Sequence, residues 1–141
     1  MIAAQRHQVA ALPMRVGPSG RKQILLITSR ERKRWIIPKG WPMKGKPDWE
    51  AAAIEAFEEA GVSGKIEEFP FGSYEYEKIN RAGIGKILTV QVYILNVEER
   101  EKNWPEKDQR VSLWYDFDET LIVLDEPGLA QLIARHRLHL R

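Results

Sequence analysis

The chain has 141 residues, of which 43% are hydrophobic and 30% charged, and a formal net charge of +2. That length suits a single domain, 1–141, with room for a core that needs no disulfides, and the absence of cysteine excludes a disulfide framework, a thiolate zinc site and a cysteine nucleophile. The longest apolar uncharged run, Ile87 to Val97, is too short to cross a bilayer as a helix, and the first residues lack a basic-then-apolar signal layout, so the expectation is a cytoplasmic protein with no membrane partner.

Strands are expected at about Gln8 to Arg15 and Lys22 to Thr28, joined by a Gly17-Pro18-Ser19-Gly20 turn. The run Ile24-Leu25-Leu26-Ile27 reads as buried on both faces. Arg30-Glu31-Arg32-Lys33-Arg34 reads as an exposed turn, and Trp35-Ile36-Ile37 as a short extended piece. Pro38 to Pro47, rich in Gly and Pro, reads as a loop. From Asp48 to Ala60 the pattern is helical: alanine is frequent, Asp48 and Glu50 suit the positive N-terminus, and Gly61 supplies the stop. Three β-rich stretches follow at about Lys65 to Tyr76, Gly85 to Val97 and Val111 to Phe117, then a helical turn at Asp118 to Val123. A final amphipathic helix over Pro127 to His139 gathers Leu129, Leu132, Ile133 and His136 on one side. Several strands with a central and a terminal helix predict an α/β sandwich.

The charges are separated along the chain. Met1 to Lys46 holds eleven Lys or Arg against a single acid, Glu31, whereas Pro47 to Gly128 holds nineteen acids against eight Lys or Arg. Within the central helix, a period of about 100° per residue places Trp49, Ala53, Ala56, Phe57 and Ala60 on a core stripe and Glu55, Glu58 and Glu59 nearly opposite. Carboxylates three and four residues apart repel one another, so they form either a solvated acidic face or a site with a cation above it. Oxygen-only ligands select a hard ion such as Mg²⁺ or Mn²⁺.

The segment from Gly40 to Val62 places Glu55, Glu58-Glu59 and Gly61-Val62 at the spacing of the Nudix box. That box runs Gly, five residues, Glu, seven residues, Arg-Glu, an apolar residue, any residue, Glu-Glu, any residue, Gly and an apolar residue. The sequence resembles a Nudix hydrolase, and Trp35-Ile36-Ile37-Pro38-Lys39-Gly40 resembles the family's lead-in. Lys46 and Ile54 stand where the family has a Glu and an Arg that brace the loop against the helix; both partners are replaced together, so neither is left unpaired. Lys39-Gly40-Trp41 replaces the family's Gly-Gly-Gly.

The resemblance implies a Nudix-type α/β/α sandwich with a mixed β-sheet between helices. It implies a hydrolase that cuts a phosphoanhydride bond with Mg²⁺ or Mn²⁺ held by Glu55, Glu58 and Glu59 and the Lys39 or Gly40 carbonyl. Glu58 or Glu59, or a Glu outside the box such as Glu75, Glu77 or Glu98, would be the base. Cations for the phosphates are expected among Arg6, Arg15, Lys39 and Lys46 and, from the middle hairpin, Lys78, Arg81 and Lys86. Within the family the resemblance is to the diphosphoinositol polyphosphate and dinucleoside polyphosphate hydrolases, on Arg34 to Pro38, Glu59 to Lys65, Trp104-Pro105-Glu106, Arg110 and Trp114-Tyr115. The expected partner is therefore a small phosphoanhydride, with the chain as monomer or homodimer. A catalytically weak nucleotide-binding or regulatory domain and an RNA 5′-end pyrophosphohydrolase are the alternatives. The latter ranks lower because no aromatic-basic single-strand platform is recognisable.

Overall fold

The structure is a computed structural model that describes residues 7–140. Its centre is β1 (His7–Val16), which pairs antiparallel with β2 (Lys22–Thr28) on one side and parallel with β7 (Gly85–Arg100) on the other. β2 also pairs with β3 (Trp35–Ile36) and β8 (Ser112–Asp116), and β1 with β4 (Lys39–Gly40). All strand pairs but β1–β7 are antiparallel, so the sheet is mixed.

Alternation along β1 sorts the core into two layers, because successive side chains leave a strand on opposite faces. Val9 and Ala11 join Leu25 and Ile27 beneath α1 (Asp48–Ala60). Ala10, Leu12 and Met14 join Ile24, Leu26, Val90 and Val92 beneath α3 (Pro127–Arg135), with Phe117 of α2 (Phe117–Val123). This is the expected α/β/α sandwich, and Ile24 to Ile27 is buried on both faces as its composition requires. Among the described residues no helix is long and apolar enough to cross a membrane.

Four local expectations are corrected. The stretch from Lys65 to Tyr76 is two strands, β5 (Val62–Ile66) and β6 (Gly72–Ile79). β7 is long enough to pair with both, β5 along Leu95 to Arg100 and β6 along Gly85 to Val92; the chain steps between them through Pro70, which has no N–H to give a ladder. The loop from Pro38 is tied to β1 at Lys39 and Gly40. The last helix breaks at His136, after which α4 (Arg137–Leu140) begins.

The fourth correction concerns the faces of α1. Its bounds are those expected, but Ala51, Ala52, Ala56, Glu59 and Ala60 are buried while Phe57 is 37% exposed. Methyl-sized side chains let the helix settle close to the sheet, and a phenyl ring at 57 on that face would hold it off. α1 ends at Gly61, whose φ of 67° is left-handed and whose N–H donates to the Phe57 carbonyl at 2.9 Å. A Cβ at this position would overlap the Trp104 ring. Replacing Gly61 by Ala adds a left-handed penalty to an overpacking cost, and chemical denaturation should show a loss of about 2–4 kcal/mol.

Candidate active site

The loop entering α1 is held by backbone bonds. Val9 and Ala10 pair with Gly40 and Lys39, and the Ala11 N–H donates to the Pro38 carbonyl at 3.1 Å. This fixes Gly40 against the helix so closely that a Cβ there would overlap the Glu55 carboxyl. One turn further along α1, Glu59 is only 7% exposed. Its Oε1 accepts the Lys39 N–H at 3.3 Å and lies 3.8 Å from a guanidinium nitrogen of Arg110.

Arg110 follows a single 3-10 turn, Lys107–Gln109, and is itself buried. It pairs with Glu106 at 3.0 Å and donates to the Thr28 carbonyl at 3.1 Å, which ties the end of β2 to the carboxylates. Burial pushes the Glu59 carboxyl up to about 8, with the Arg110 charge opposing and Glu55 adding to the rise. Burial raises Glu55 as well. Both carboxyls are therefore shifted towards their protonated forms, Glu59 the further, because burial and each other's charge disfavour a second negative charge.

This acidic pair lies in the wall of a cleft of about 870 Å³. The cleft is also lined by Arg30, Arg32 and Arg34 from the β2–β3 turn, by Lys39 and Arg110, and by Tyr76 and Lys78 from β6. Among the described residues, no three acidic or imidazole side chains are gathered as a ready-made cation cage. The donor set still fits a hard divalent cation. It is oxygen-only, it is partly withdrawn from water, and a cation would offset the charge that burial disfavours there.

A family model described as the NUDIX domain matches residues 6–136. The chain belongs to the Nudix hydrolase family. It is 34% identical over 104 residues to Nudix hydrolase 13, mitochondrial, of Arabidopsis thaliana, covering 70% of this chain and 52% of that protein. It is 30% identical over 119 residues to diphosphoinositol polyphosphate phosphohydrolase 3-beta of Bos taurus, covering 82% of this chain and 68% of that protein. The chain spans about half the length of the first curated relatives it matches. Two solved structures share the fold. The C. elegans Ap4A hydrolase does so with a TM-score of 0.66 at 19% identity, covering 97% of this chain and 99% of that one. The NUDIX domain of Shewanella oneidensis NrtR, complexed with ADP ribose, does so with a TM-score of 0.67 at 16% identity, covering 97% and 90%.

The Nudix fold brings some of the expected residues together and scatters others. Glu55, Glu59, Lys39, Gly40 and Lys78 line the cleft. Glu58 is half-buried beside Glu55, outside the cleft lining, and its carbonyl accepts the Glu106 N–H at 3.0 Å. Arg15 is at the far end of β1, stacked 4.3 Å over Trp114. Lys46 turns to Glu50, one helical turn on, at 3.5 Å. Arg81 and Lys86 are exposed on the β6–β7 hairpin outside the cleft lining, Lys86 directly opposite Lys78 across the strands. Arg6 lies outside the described residues. Of the acids beyond the box, Glu77 lines the cleft, whereas Glu75 and Glu98 do not.

Arg30, Arg32 and Arg34 were visible as a basic run and read only as a turn; their place at the cleft mouth comes from the β2–β3 pairing. Gln8 carries no local signal, and Arg110 enters the sequence reading only as one of the residues that carry the family resemblance, with no role assigned. Their positions depend on contacts with distant strands.

The buried pair couples stability to pH. A carboxyl whose folded value is raised binds its proton more tightly in the native state, so its contribution is fully present below about 4.5 and is lost as pH rises towards about 8. In chelator, the unfolding free energy should fall between those values by up to about 1.4 kcal/mol per pH unit for one proton. Glu59→Gln should flatten that slope, as measured by denaturant titration at successive pH values.

Proposed function

We propose that the protein is a divalent-metal-dependent pyrophosphohydrolase that cleaves a phosphoanhydride bond in a nucleoside-diphosphate-linked, dinucleoside polyphosphate or diphosphoinositol polyphosphate substrate. The observation that carries this reading is the half-buried Glu55, pressed against the Gly40 backbone, beside the buried Glu59 in the wall of a cleft with a basic mouth. The relatives support the substrate range, since their names include an Ap4A hydrolase and a diphosphoinositol polyphosphate phosphohydrolase.

Glu55, Glu58 and Glu59, with the Lys39 or Gly40 carbonyl, would hold Mg²⁺ or Mn²⁺. When bound, such an ion neutralises phosphate oxygens and lowers the cost of bringing water to an anionic centre. The chain's own groups supply the remaining chemistry. Arg110 fixes the Glu59 carboxyl, and the Lys39 N–H donates to the same oxygen, so the carboxyl is oriented before substrate arrives. Glu59, or Glu58 beside Glu55, takes the proton of the attacking water. Lys78, Arg30, Arg32 and Arg34 at the mouth offset the charge of the phosphate chain.

Replacement of the box's usual Glu and Arg by Lys46 and Ile54 leaves this arrangement intact, because the loop is held by its pairing with β1. Hydrolysis of a panel of nucleoside and inositol pyrophosphates should require Mg²⁺ or Mn²⁺ and stop with chelator. Glu55→Gln, and Glu58→Gln combined with Glu59→Gln, should each lower kcat by about 10²-fold or more. Undiminished turnover in those variants, or no turnover of any substrate by the native chain, contradicts the reading.

A further inference from the structure

Lys39 and Gly40 leave β4 on opposite faces, because side chains alternate along a strand. Gly40 pairs with Val9, of the layer beneath α1, and Lys39 with Ala10, of the layer beneath α3. Gly40 therefore meets Glu55, and the Lys39 side chain sets out towards α3. There its ammonium lies 3.5 Å from Oε2 of Glu126, the residue before α3, and 4.9 Å from the centre of the Tyr76 ring. Tyr74 donates its hydroxyl to the same Oε2 at 3.1 Å. Both side chains of the Lys39–Glu126 pair are largely withdrawn from water. The Lys39 backbone meanwhile donates its N–H to Glu59 Oε1 at 3.3 Å. Glu59 thus stands one hydrogen bond from the base of a flexible four-carbon stem, and the ammonium has a second acid within its reach.

The two acids are not equally compensated. Glu59 has the Arg110 guanidinium at 3.8 Å besides the Lys39 N–H. Glu126 has, among the described residues, no cation within ion-pair distance other than Lys39, and its Oε1 is buried without a hydrogen-bond partner. Arg32 and Arg34 line the same space but do not pair with it. A buried carboxylate that loses its sole cation is left uncompensated, so Glu126 holds the ammonium more strongly than Glu59 does. Its place at the positive N-terminus of α3 suits an acid, and Leu129, Leu132 and Ile133 anchor that helix in the core.

We propose that Glu126 is a positioning residue that acts through Lys39: it holds the ammonium on the α3 side of the cleft and so keeps the carboxyls of Glu55 and Glu59 open to a divalent cation. This deepens the metal-dependent reading and rests on it for the place of the ion. Without Glu126 the ammonium turns to those carboxyls, offsets their charge itself, and weakens metal binding in proportion to the time it spends there. The device belongs to this chain, since the glycine that the resembling family has at this position brings no ammonium to be held.

Two measurements on the metal-free protein test this, and neither needs turnover. The first is zero-length cross-linking with a water-soluble carbodiimide, read by peptide mass spectrometry, which joins an amine to a carboxyl in contact with it. The native chain should give a Lys39–Glu126 amide, and Glu126→Gln should give Lys39 joined to Glu55 or Glu59. The second is calorimetric titration with Mn²⁺. Glu126→Gln should weaken binding about tenfold or more, as expected when a competing conformer fills the site most of the time. The same substitution made in a Lys39→Met background should change affinity by less than about twofold, because the loss runs through Lys39. Glu126→Asp, which keeps the charge, should retain most of the native affinity. A native chain whose Lys39 is joined chiefly to Glu55 or Glu59, a Glu126→Gln variant with neither that cross-link nor a loss of affinity, or a loss of equal size with and without Lys39 would overturn the proposal. Metal-dependent hydrolysis without the exchange of cross-links overturns this inference and leaves the functional reading standing; the predicted exchange of cross-links and affinities without hydrolysis of any pyrophosphate does the reverse.

Discussion

The site depends on how closely α1 approaches the sheet. Ala52, Ala56 and Ala60 recur at a four-residue interval and are buried, so the helix brings only methyl groups along this stripe to the layer formed by Val9 and Ala11 of β1. Gly40 continues that close approach into the loop, where the absence of a Cβ leaves room for the Glu55 carboxyl. Together they press the half-buried Glu55 and buried Glu59 carboxyls against backbone that is fixed by the β1–β4 pairing. A larger residue at any of these places would move the helix outward and return Glu59 to water, and its unusual acidity would disappear with its burial.

Burial of Glu59 needs compensation, and the compensation comes from distant parts of the chain. Arg110 supplies the opposing charge and Glu106 orients Arg110, while Lys39 contributes a backbone donor. The result is an acidic pair in which burial favours the protonated form, and a cation would compete with that proton. Lys39 then extends the same network to Glu126 and Tyr74 on the other side of the cleft. The basic turn around Arg32 lies at the opening. Net charge conceals this arrangement: the acidic pair is inside with Arg110 and Lys39, and a further group of arginines lies at the mouth.

Much of the fold was legible because its cues are local. Asp48 and Gly61 mark the ends of α1, the alternating apolar residues of β1 and β2 require two covered faces, and the spacing from Gly40 to Gly61 points to the acidic helix. The face of α1 was misread because periodicity ranks residues by hydrophobicity, whereas the sheet selects them by size; Phe57 is the more apolar side chain but Ala52 is the one that fits. Lys65 to Tyr76 was read as one strand because strand propensity carries no information about which half of β7 each part will meet. Glu126 was not legible as a site residue, and Arg110 was legible only as part of the family resemblance, for a related reason. Each is an ordinary charged residue in sequence, and each acquires its role from strands far away along the chain.

The central claim, that Glu55 and Glu59 form a proton-holding pair that yields to a divalent cation, is tested most directly by calorimetric titration of Mn²⁺ into the metal-free protein. The titration is run at several pH values between about 6 and 8, in buffers of different ionisation enthalpy. The account predicts release of about one proton per bound ion below the Glu59 value, affinity that rises with pH, and loss of both effects in Glu59→Gln. Binding that releases no proton and is indifferent to pH, or that is unchanged in Glu59→Gln, would contradict it.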